Sequence, residues 1–475
     1  MSAHNHAVNG AGNGAGKGAG MRTIWARQAL LPEGWAEGVA VAIDAAGRIA
    51  AVSRAPAAPK GAERRAILLP AVANLHSHAF QRAMAGLTER RGPDPRDSFW
   101  TWRHLMFRFL DQLTPDDIEA ITAFAQLEML RAGFASVAEF HYLHHGPGGV
   151  PYADPAETSA RIAAAAGQTG IGLALLPVLY EHGGCDGRPL GPGQVRFGTT
   201  PEGFARLAEG AERALAPLPP DAGFGIAPHS LRAVSRPGLA LAVALRPDRP
   251  IHMHLAEQPA EVAEVQAAWG ARPGEWLLAN APVGPRWCLI HATHLVAAEI
   301  AGLAGSGAVA GLCPITESSL GDGIFAATGW RAAGGAIGIG SDSNIRLGLA
   351  EELRTLEYSQ RLRDGARAVL ATPEQSTGRV LYQAALAGGA QALGRASGAI
   401  AAGNWADLVA LDPEAPDLWG RAGDGILDAW IFAGDNAMVA DVWSAGRHVI
   451  AGGRHAAEGP IRAAYRAVMA RLIGA

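Results

Sequence analysis

Lysine and cysteine are scarce in this sequence. Lysine occurs only at Lys17 and Lys60, and both positions precede the first long apolar run of the chain. The three cysteines, Cys185, Cys288 and Cys313, are widely spaced and odd in number, so they form neither a disulfide framework nor a CxxC zinc motif. This cysteine usage fits a reducing compartment, and we expect the protein to be cytoplasmic.

Long hydrophobic runs and runs of one charge sign are also missing. No uncharged apolar stretch reaches the ~18 residues that a membrane span needs, and no basic run marks a nucleic-acid surface. We therefore expect neither a membrane nor a nucleic acid as partner. Residues 1–20 are rich in Gly, Ala and Asn and lack the apolar segment of a secretory signal, so they are predicted to be a disordered tail.

The chain of 475 residues is long enough for one large and one small domain. Short strand patterns at both ends predict a small β-sandwich domain built from residues 21–68 and 400–475, with a carboxyl-terminal helix. Apolar runs alternating with helical stretches predict an α/β fold, a (β/α)₈ barrel over residues 69–399. The eight runs cover residues 66–78, 134–142, 171–180, 223–230, 250–257, 287–294, 308–316 and 336–344.

Side chains that can bind a metal lie in or at the ends of several of these runs. His76 and His78 end the first run in the stretch NLHSHAFQ, and because side chains alternate along a strand, both imidazoles point the same way. Further candidates follow later runs: His252, His254, His291 and Asp342. Active sites of such barrels lie at the carboxyl ends of the strands, where these groups would meet. They predict a site of three histidines and one aspartate for Zn²⁺ or a similar divalent ion.

The order of these motifs resembles the amidohydrolase superfamily: HxH after barrel strand one, HxxE after strand five, His after strand six and SD after strand eight. The β-rich flanks match the small composite domain that many members carry. Within the superfamily, the stretches NLHSHAFQRAMAG, SFWTWR, EFHY, APHSLRAV and IHMHLAEQ are similar to the formimidoylglutamate deiminase family of bacterial histidine degradation. The resemblance implies a hydrolase and four metal ligands: His76, His78, His254 and Asp342.

The metal is expected to be a single ion per chain, with Zn²⁺ favoured. Many members bind two ions and bridge them with a carboxylated lysine near the end of the fourth barrel strand. Both lysines of this chain lie upstream of the first barrel strand, so neither can form this bridge. A bridge by a glutamate such as Glu139 is left open by this argument. In run five, the HxxE pattern makes His254 the ligand and leaves His252 either beside the site or in the core.

The chemistry implied is hydrolysis of a C=NH group by metal-activated water. Asp342 would accept a proton from the water, and Glu257 would carry a proton to the nitrogen that leaves as ammonia. His291 would orient the water or polarise the group under attack.

The resemblance implies N-formimidoyl-L-glutamate as substrate, with N-formyl-L-glutamate and ammonia as products. Because a buried, unpaired carboxylate costs several kcal/mol, a dicarboxylate substrate needs arginines or equivalent donors. The candidate substrate-binding residues are Gln81, Arg103, Tyr142, His229 and Arg232. A second copy of the chain, in a homodimer, is the other partner expected.

Two alternatives remain at this point. A deaminase of guanine, cytosine or an adenosine derivative would use the same metal site, and Trp100 or Trp102 could stack on its flat ring. A zinc-stabilised scaffold without activity is the other alternative, although structural zinc sites are usually closed by cysteine-rich ligand sets.

Overall fold

The structure is a computed structural model that describes residues 20–90 and 99–474. Residues 1–19 of the predicted tail lie outside the described residues, as do Ser98 of the SFWTWR stretch and the side chain of Trp100. In the described part of the chain, no helix is both long and apolar enough to cross a membrane.

The strands alternate with helices through most of the chain. The strands are β1 (Arg22–Leu31), β2 (Gly34–Ile43), β3 (Ile49–Arg54), β4 (Glu63–Pro70), β5 (Val72–Ser77), β6 (Phe134–His141), β7 (Gly172–Leu179), β8 (Gly223–Phe224), β9 (Ala227–Pro228), β10 (Ile251–Leu255), β11 (Trp287–His291), β12 (Val309–Leu312), β13 (Ala336–Ile339), β14 (Leu408–Leu411), β15 (Val439–Ser444) and β16 (Arg447–Ile450). The α-helices are α1 (Phe99–Leu110), α2 (Pro115–Arg131), α3 (Glu157–Thr169), α4 (Pro201–Ala214), α5 (Arg236–Leu245), α6 (Pro259–Trp269), α7 (Pro273–Asn280), α8 (Ala297–Gly305), α9 (Pro314–Leu320), α10 (Ala327–Ala332), α11 (Leu349–Asp364), α12 (Thr377–Leu393), α13 (Asp424–Phe432) and α14 (Glu458–Ile473).

Strands β5 to β13 form the predicted (β/α)₈ barrel. They are parallel and hydrogen-bonded in two arcs, β5-β6-β7-β8 with β9 beside β7, and β10-β11-β12-β13. Parallel bridges join the arcs at both edges, between Ile226 and Ile251 and between Ser77 and Asp342. All eight predicted runs therefore contain barrel strands. The fourth run is divided into two short strands, and Pro228, which has no N–H to donate, ends the second.

Helix α12 packs directly on the backbone of the first and last barrel strands. A side chain at Gly388 would collide with the carbonyl of Ile337, and one at Gly389 would lie 2.9 Å from the carbonyl oxygen of Ala73. The two glycines therefore let the helix cover the seam at which the barrel closes.

Strands from both ends of the chain form the small domain. Its seven-stranded sheet has the order β16-β15-β14-β4-β1-β2-β3, so that three strands from the carboxyl-terminal end and four from the amino-terminal end meet where β14 pairs with β4. A bridge between Arg48 and Trp405 joins the segments that precede β3 and β14, and the core of the domain includes Ile24, Leu408 and Trp443. Strand β4 leads almost directly into β5, which places the metal-ligand motif next to this domain.

The carboxyl-terminal helix packs differently from the sequence-based grouping. Helix α14 lies against barrel helix α2, and the rings of Phe124 and Tyr465 stack with centroids 4.0 Å apart. Ile461 of α14 is buried in the same contact. The apolar face of α14 therefore packs on the barrel, whereas the sequence analysis assigned this helix to the small domain.

Candidate metal centre and active site

The histidine motif is fixed by the pairing of the first and last barrel strands. The backbone N–H of His78 donates to the Asp342 carbonyl, and that of Asp342 donates to the His76 carbonyl, both at 2.9 Å. His254 lies in β10, on the opposite arc of the barrel. Parallel strands end at one rim of a barrel, and all four predicted ligands lie at this rim.

The four ligand atoms converge on one point. Nε2 of His254 lies 3.2 Å from Nε2 of His76, and Oδ1 of Asp342 lies 3.3 Å from Nε2 of His78 and 3.6 Å from Nε2 of His76. All the ligand atoms of the group are within 4.8 Å of one another, and all four residues are buried. These spacings suit one ion held by the four side chains.

The outer ring nitrogens set the tautomers of two of the histidines. Nδ1 of His78 lies 2.8 Å from the carbonyl oxygen of Phe140, and Nδ1 of His254 lies 3.1 Å from that of His229. A carbonyl oxygen can only accept, so each Nδ1 carries the proton and each Nε2 turns its lone pair toward the centre. This is the tautomer that a metal ligand needs.

The charges of the group also suit a divalent metal. Burial lowers the pKa of His76 to about 3 and the pKa of His254 well below its usual value, so both rings are neutral. Burial alone would raise the pKa of Asp342, but the imidazoles of His76, His291 and His78 lower it, so the side chain is a carboxylate. Neutral imidazoles together with one carboxylate are the donor set that zinc and similar ions prefer.

Two residues left open by the sequence do not join the group. The Glu139 carboxylate accepts a hydrogen bond from the Ala79 N–H at 2.7 Å, and burial raises its pKa to about 8. The ring of His252 lies 2.8 Å from the carbonyl oxygen of Ala392 on α12, in the core.

Lys60, the one lysine among the described residues, is exposed on the small domain. Nothing in the described chain therefore resembles the lysine bridge of a two-ion centre.

His291 connects the ligand group with Glu257. Its Nε2 lies 3.6 Å from Asp342 Oδ2 and 3.8 Å from Glu257 Oε1, while its Nδ1 lies 3.2 Å from Glu317 Oε1. Burial alone would lower the pKa of His291, but the carboxylates of Glu257, Glu317 and Asp342 raise it to about 10. The ring can therefore hold a proton and donate from Nε2 into the site.

Glu317 was not identified from the sequence. Its Oε1 also accepts a hydrogen bond from the Cys313 N–H at 2.9 Å, which fixes the carboxylate beside His291. Its position directly after the seventh apolar run was the one signal available.

Glu257 lies in the turn after β10, where it faces the cavity. Burial raises its pKa, although His291 and Arg232 oppose the shift. The Arg232 guanidinium donates to Glu257 Oε2 at 3.2 Å. A buried carboxyl with a raised pKa, beside the ligand group but outside it, is suited to proton transfer.

A cavity above the ligand group brings together all the residues predicted to bind substrate. Gln81 donates to the Tyr142 hydroxyl at 2.7 Å, and Arg103 of α1 donates to the Tyr180 hydroxyl at 2.8 Å. Tyr180 was not identified from the sequence. The residues that line the cavity are His78, Gln81, Trp102, Arg103, Met106, Tyr142, Tyr180, Phe197, His229, Arg232, His254, Glu257, His291, Leu320 and Asp342.

The backbone is strained at three places in this rim. Ala256, His291 and Asp342 have φ angles of 50°, 67° and 46°, in the left-handed region that non-glycine residues rarely adopt. Strain of this kind is concentrated at functional sites, where the surrounding structure holds it.

Comparison with known proteins agrees with this geometry. The model of the amidohydrolase family matches residues 67–449, and the model described as "Formimidoylglutamate deiminase HutF, N-terminal domain" matches residues 21–66. The chain belongs to the amidohydrolase family, and it is a hydrolase that acts on C–N bonds.

Individual relatives are similar over most of their length. The chain is 51% identical to the formimidoylglutamate deiminase of Pseudomonas aeruginosa, over 95% of this chain and 100% of that protein. The 8-oxoguanine deaminase of the same organism is 31% identical over 74% of this chain and 76% of its own length.

Solved structures give the same family and fold. An amidohydrolase from Brucella melitensis superposes with a TM-score of 0.91 at 49% identity, covering 95% of this chain and all of its own. A zinc-bound adenosine deaminase from Xanthomonas campestris, at 24% identity, shares the fold with a TM-score of 0.79 over 95% of this chain and 98% of its own.

Proposed function

We propose that this protein hydrolyses N-formimidoyl-L-glutamate to N-formyl-L-glutamate and ammonia, as a step of histidine degradation. The observation that carries the proposal is a cavity in which two arginines, Arg103 and Arg232, accompany the ligand group and Glu257. A substrate with two carboxylates needs two such cations, whereas a neutral heterocycle does not. The similarity to a formimidoylglutamate deiminase over the whole of that protein supports the same substrate.

The proposed cofactor is one Zn²⁺ per chain, held by His76, His78, His254 and Asp342. The neutral imidazoles, the ionised carboxylate and their mutual distances support this assignment. When bound, the ion supplies Lewis acidity, which activates water near neutral pH.

Three side chains would manage the protons of the reaction. Asp342 accepts a proton from the attacking water, and Glu257 delivers a proton to the substrate nitrogen, which then leaves as ammonia. His291 donates from Nε2, between the Asp342 and Glu257 carboxylates, and so holds the reacting oxygen in place. Its other nitrogen is held by Glu317, which keeps the ring in this orientation.

The substrate carboxylates would be held by the cavity wall. Arg103 and Arg232 supply the two positive charges, and His229, Gln81 and Tyr142 supply further hydrogen bonds. These side chains line the same cavity as Glu257, so a substrate whose carboxylates bind both arginines would have its C=NH group near Glu257.

A heterocycle deaminase is the second candidate because Trp102 lines the cavity and could stack on a flat ring. The 8-oxoguanine deaminase that is 31% identical to this chain supports this candidate. The Trp102 contact is compatible with either substrate, whereas the two arginines favour the dicarboxylate.

We also propose a cytoplasmic homodimer. The proposed domain division places residues 21–68 and 400–475 in the small domain and 69–399 in the barrel, with α14 docked on barrel helix α2.

Ammonia release from a substrate panel tests the proposed function. Purified enzyme loaded with Zn²⁺ is given N-formimidoyl-L-glutamate, guanine, cytosine and adenosine under the same conditions. We expect N-formimidoyl-L-glutamate to have by far the highest kcat/KM. Faster turnover of any of the three heterocycles would overturn the assignment of the substrate and leave the deaminase chemistry standing.

A further inference from the structure

Glu261 is a fully buried carboxylate just outside the cavity. It is the third residue of α6, and its Oε2 accepts a hydrogen bond from the Glu257 N–H at 2.9 Å. Its Oε1 accepts one from the Ala256 N–H at 3.3 Å. The carboxylate therefore holds the turn that carries Glu257 without reaching the cavity itself.

That turn needs external support. Ala256 has a φ of 50°, which an alanine adopts only under constraint. Among the described residues, the N–H groups of Ala256 and Glu257 donate to Glu261 and to no backbone carbonyl, and a buried N–H without an acceptor is costly. Glu261 satisfies both groups and so stabilises the strained conformation.

Glu261 also faces Arg232. The Arg232 Nε atom lies 3.6 Å from Glu261 Oε2, and its Nη2 donates to Glu257 Oε2 at 3.2 Å. The guanidinium is thus placed between two carboxylates, of which one lines the cavity and the other does not. If Glu261 lost its charge, nothing would oppose the attraction of Glu257, already the closer carboxylate, and the guanidinium would be drawn toward it.

We propose that Glu261 is a positioning residue that fixes Glu257 and Arg232 relative to each other. Through the backbone it holds the proton-transfer carboxyl, and through its charge it keeps Arg232 available to a substrate carboxylate. The inference rests on the proposed function, because it needs Glu257 to transfer a proton and Arg232 to bind the substrate.

Glu299 offers a matched control for the variant Glu261→Gln. It is likewise the third residue of a helix that follows a barrel strand, and it is buried. Its Oε2 accepts from the Val296 N–H at 2.9 Å and lies 3.1 Å from Nε of Arg272. Glu299→Gln thus removes the same kind of charge from the same kind of helix start, but Glu299 does not contact the residues of the cavity.

In Glu261→Gln, we expect kcat to fall and KM for N-formimidoyl-L-glutamate to rise, each by about tenfold or more, with the metal content unchanged. Glu299→Gln should show a similar loss in Tm while both kinetic constants stay within about twofold of wild type. In a double-mutant cycle with Arg232→Met, the rise in KM caused by Glu261→Gln should largely disappear, because it acts through Arg232.

Three results would overturn the inference. The first is that kcat and KM of Glu261→Gln match those of Glu299→Gln. The second is that Glu261→Gln changes only kcat or only KM. The third is that the effects of Glu261→Gln and Arg232→Met on KM are fully additive. If Glu261→Gln does not fold, Glu261→Asp is assayed by the same criteria. Failure of the proposed function looks different, because wild-type enzyme would then release no ammonia from N-formimidoyl-L-glutamate.

Discussion

His78 and Asp342 are joined twice across the seam of the barrel. The His78 N–H donates to the Asp342 carbonyl oxygen at 2.9 Å, and His78 Nε2 lies 3.3 Å from Asp342 Oδ1. His78 directly follows the first barrel strand and Asp342 follows the last. Closing the barrel and assembling the ligand group are therefore the same structural event, and metal binding should stabilise the folded chain.

Removal of a ligand should abolish metal binding and activity together. In His78→Ala and Asp342→Ala, elemental analysis should show far less than one ion per chain, and hydrolysis should fall in proportion. His252→Asn is the matched control, because His252 shares β10 with the ligand His254 but contacts the carbonyl oxygen of Ala392. This variant should retain its ion. Two ions per chain in fully active wild-type protein would contradict the single-ion proposal.

Replacement of Glu257 should separate catalysis from metal binding. Glu257→Gln keeps the shape of the side chain but cannot carry a proton, so kcat should fall by about 10²-fold or more while the metal content stays constant. Glu264→Gln serves as control, because Glu264 lies on the neighbouring helix and pairs with the exposed Arg188 at 2.6 Å. Nearly normal kcat in Glu257→Gln would exclude Glu257 from the mechanism.

Each cavity arginine is expected to bind one carboxylate of the substrate. Arg103→Met and Arg232→Met should each lower kcat/KM by about 30-fold to several thousand-fold, since losing a charged partner costs about 2–5 kcal/mol. An analogue with one carboxylate, N-formimidoyl-glycine, should be a poor substrate and should lose less from one of the two changes. Arg188→Met, on the surface, should leave kcat/KM unchanged. Normal kinetics in both cavity variants would refute the dicarboxylate assignment.

The ion pairs of Asp221 should make stability depend on pH. This buried carboxylate lies 3.0 Å from Arg395 and 2.7 Å from Arg447. Burial alone would raise the pKa of Asp221, but Arg447 and Arg395 lower it below its usual value. Its stabilisation is therefore complete above the pKa of the unfolded chain and is lost as the pH falls through the lower pKa of the folded state.

Asp221→Asn tests this dependence by urea unfolding. We expect a loss of about 3 kcal/mol in the free energy of unfolding at pH 7, because one partner of a buried pair is removed. The difference from wild type should shrink in acid, as the pH falls through the lowered pKa of Asp221 in the folded state and the wild-type carboxyl also becomes neutral. Asp116→Asn, at an exposed ion pair with Arg161, should change little at either pH. An equal loss at both pH values would contradict the role of the charge.

Much of the fold could be predicted from the sequence because it depends on local patterns. Strands buried on both faces need continuous apolar runs, and all eight runs became barrel strands. The ligand motif was equally visible, since His76 and His78 adjoin a strand end and such ends meet at one rim. Alternation along β5 and the residue directly after it therefore predicted that both imidazoles point the same way before any tertiary contact was known.

Only the tertiary structure decided which distant residues support the site. Glu317, Tyr180 and Glu261 belong to segments whose sequence resembles ordinary helix starts or strand ends, and their importance comes from the His291, Arg103 and Arg232 side chains that they contact. The docking of α14 on α2 was equally invisible, because an apolar helix face shows that a partner exists but not which surface it is. Spacing along the chain determines what lies on one strand or helix, whereas contacts between segments depend on how barrel closure brings them together in space.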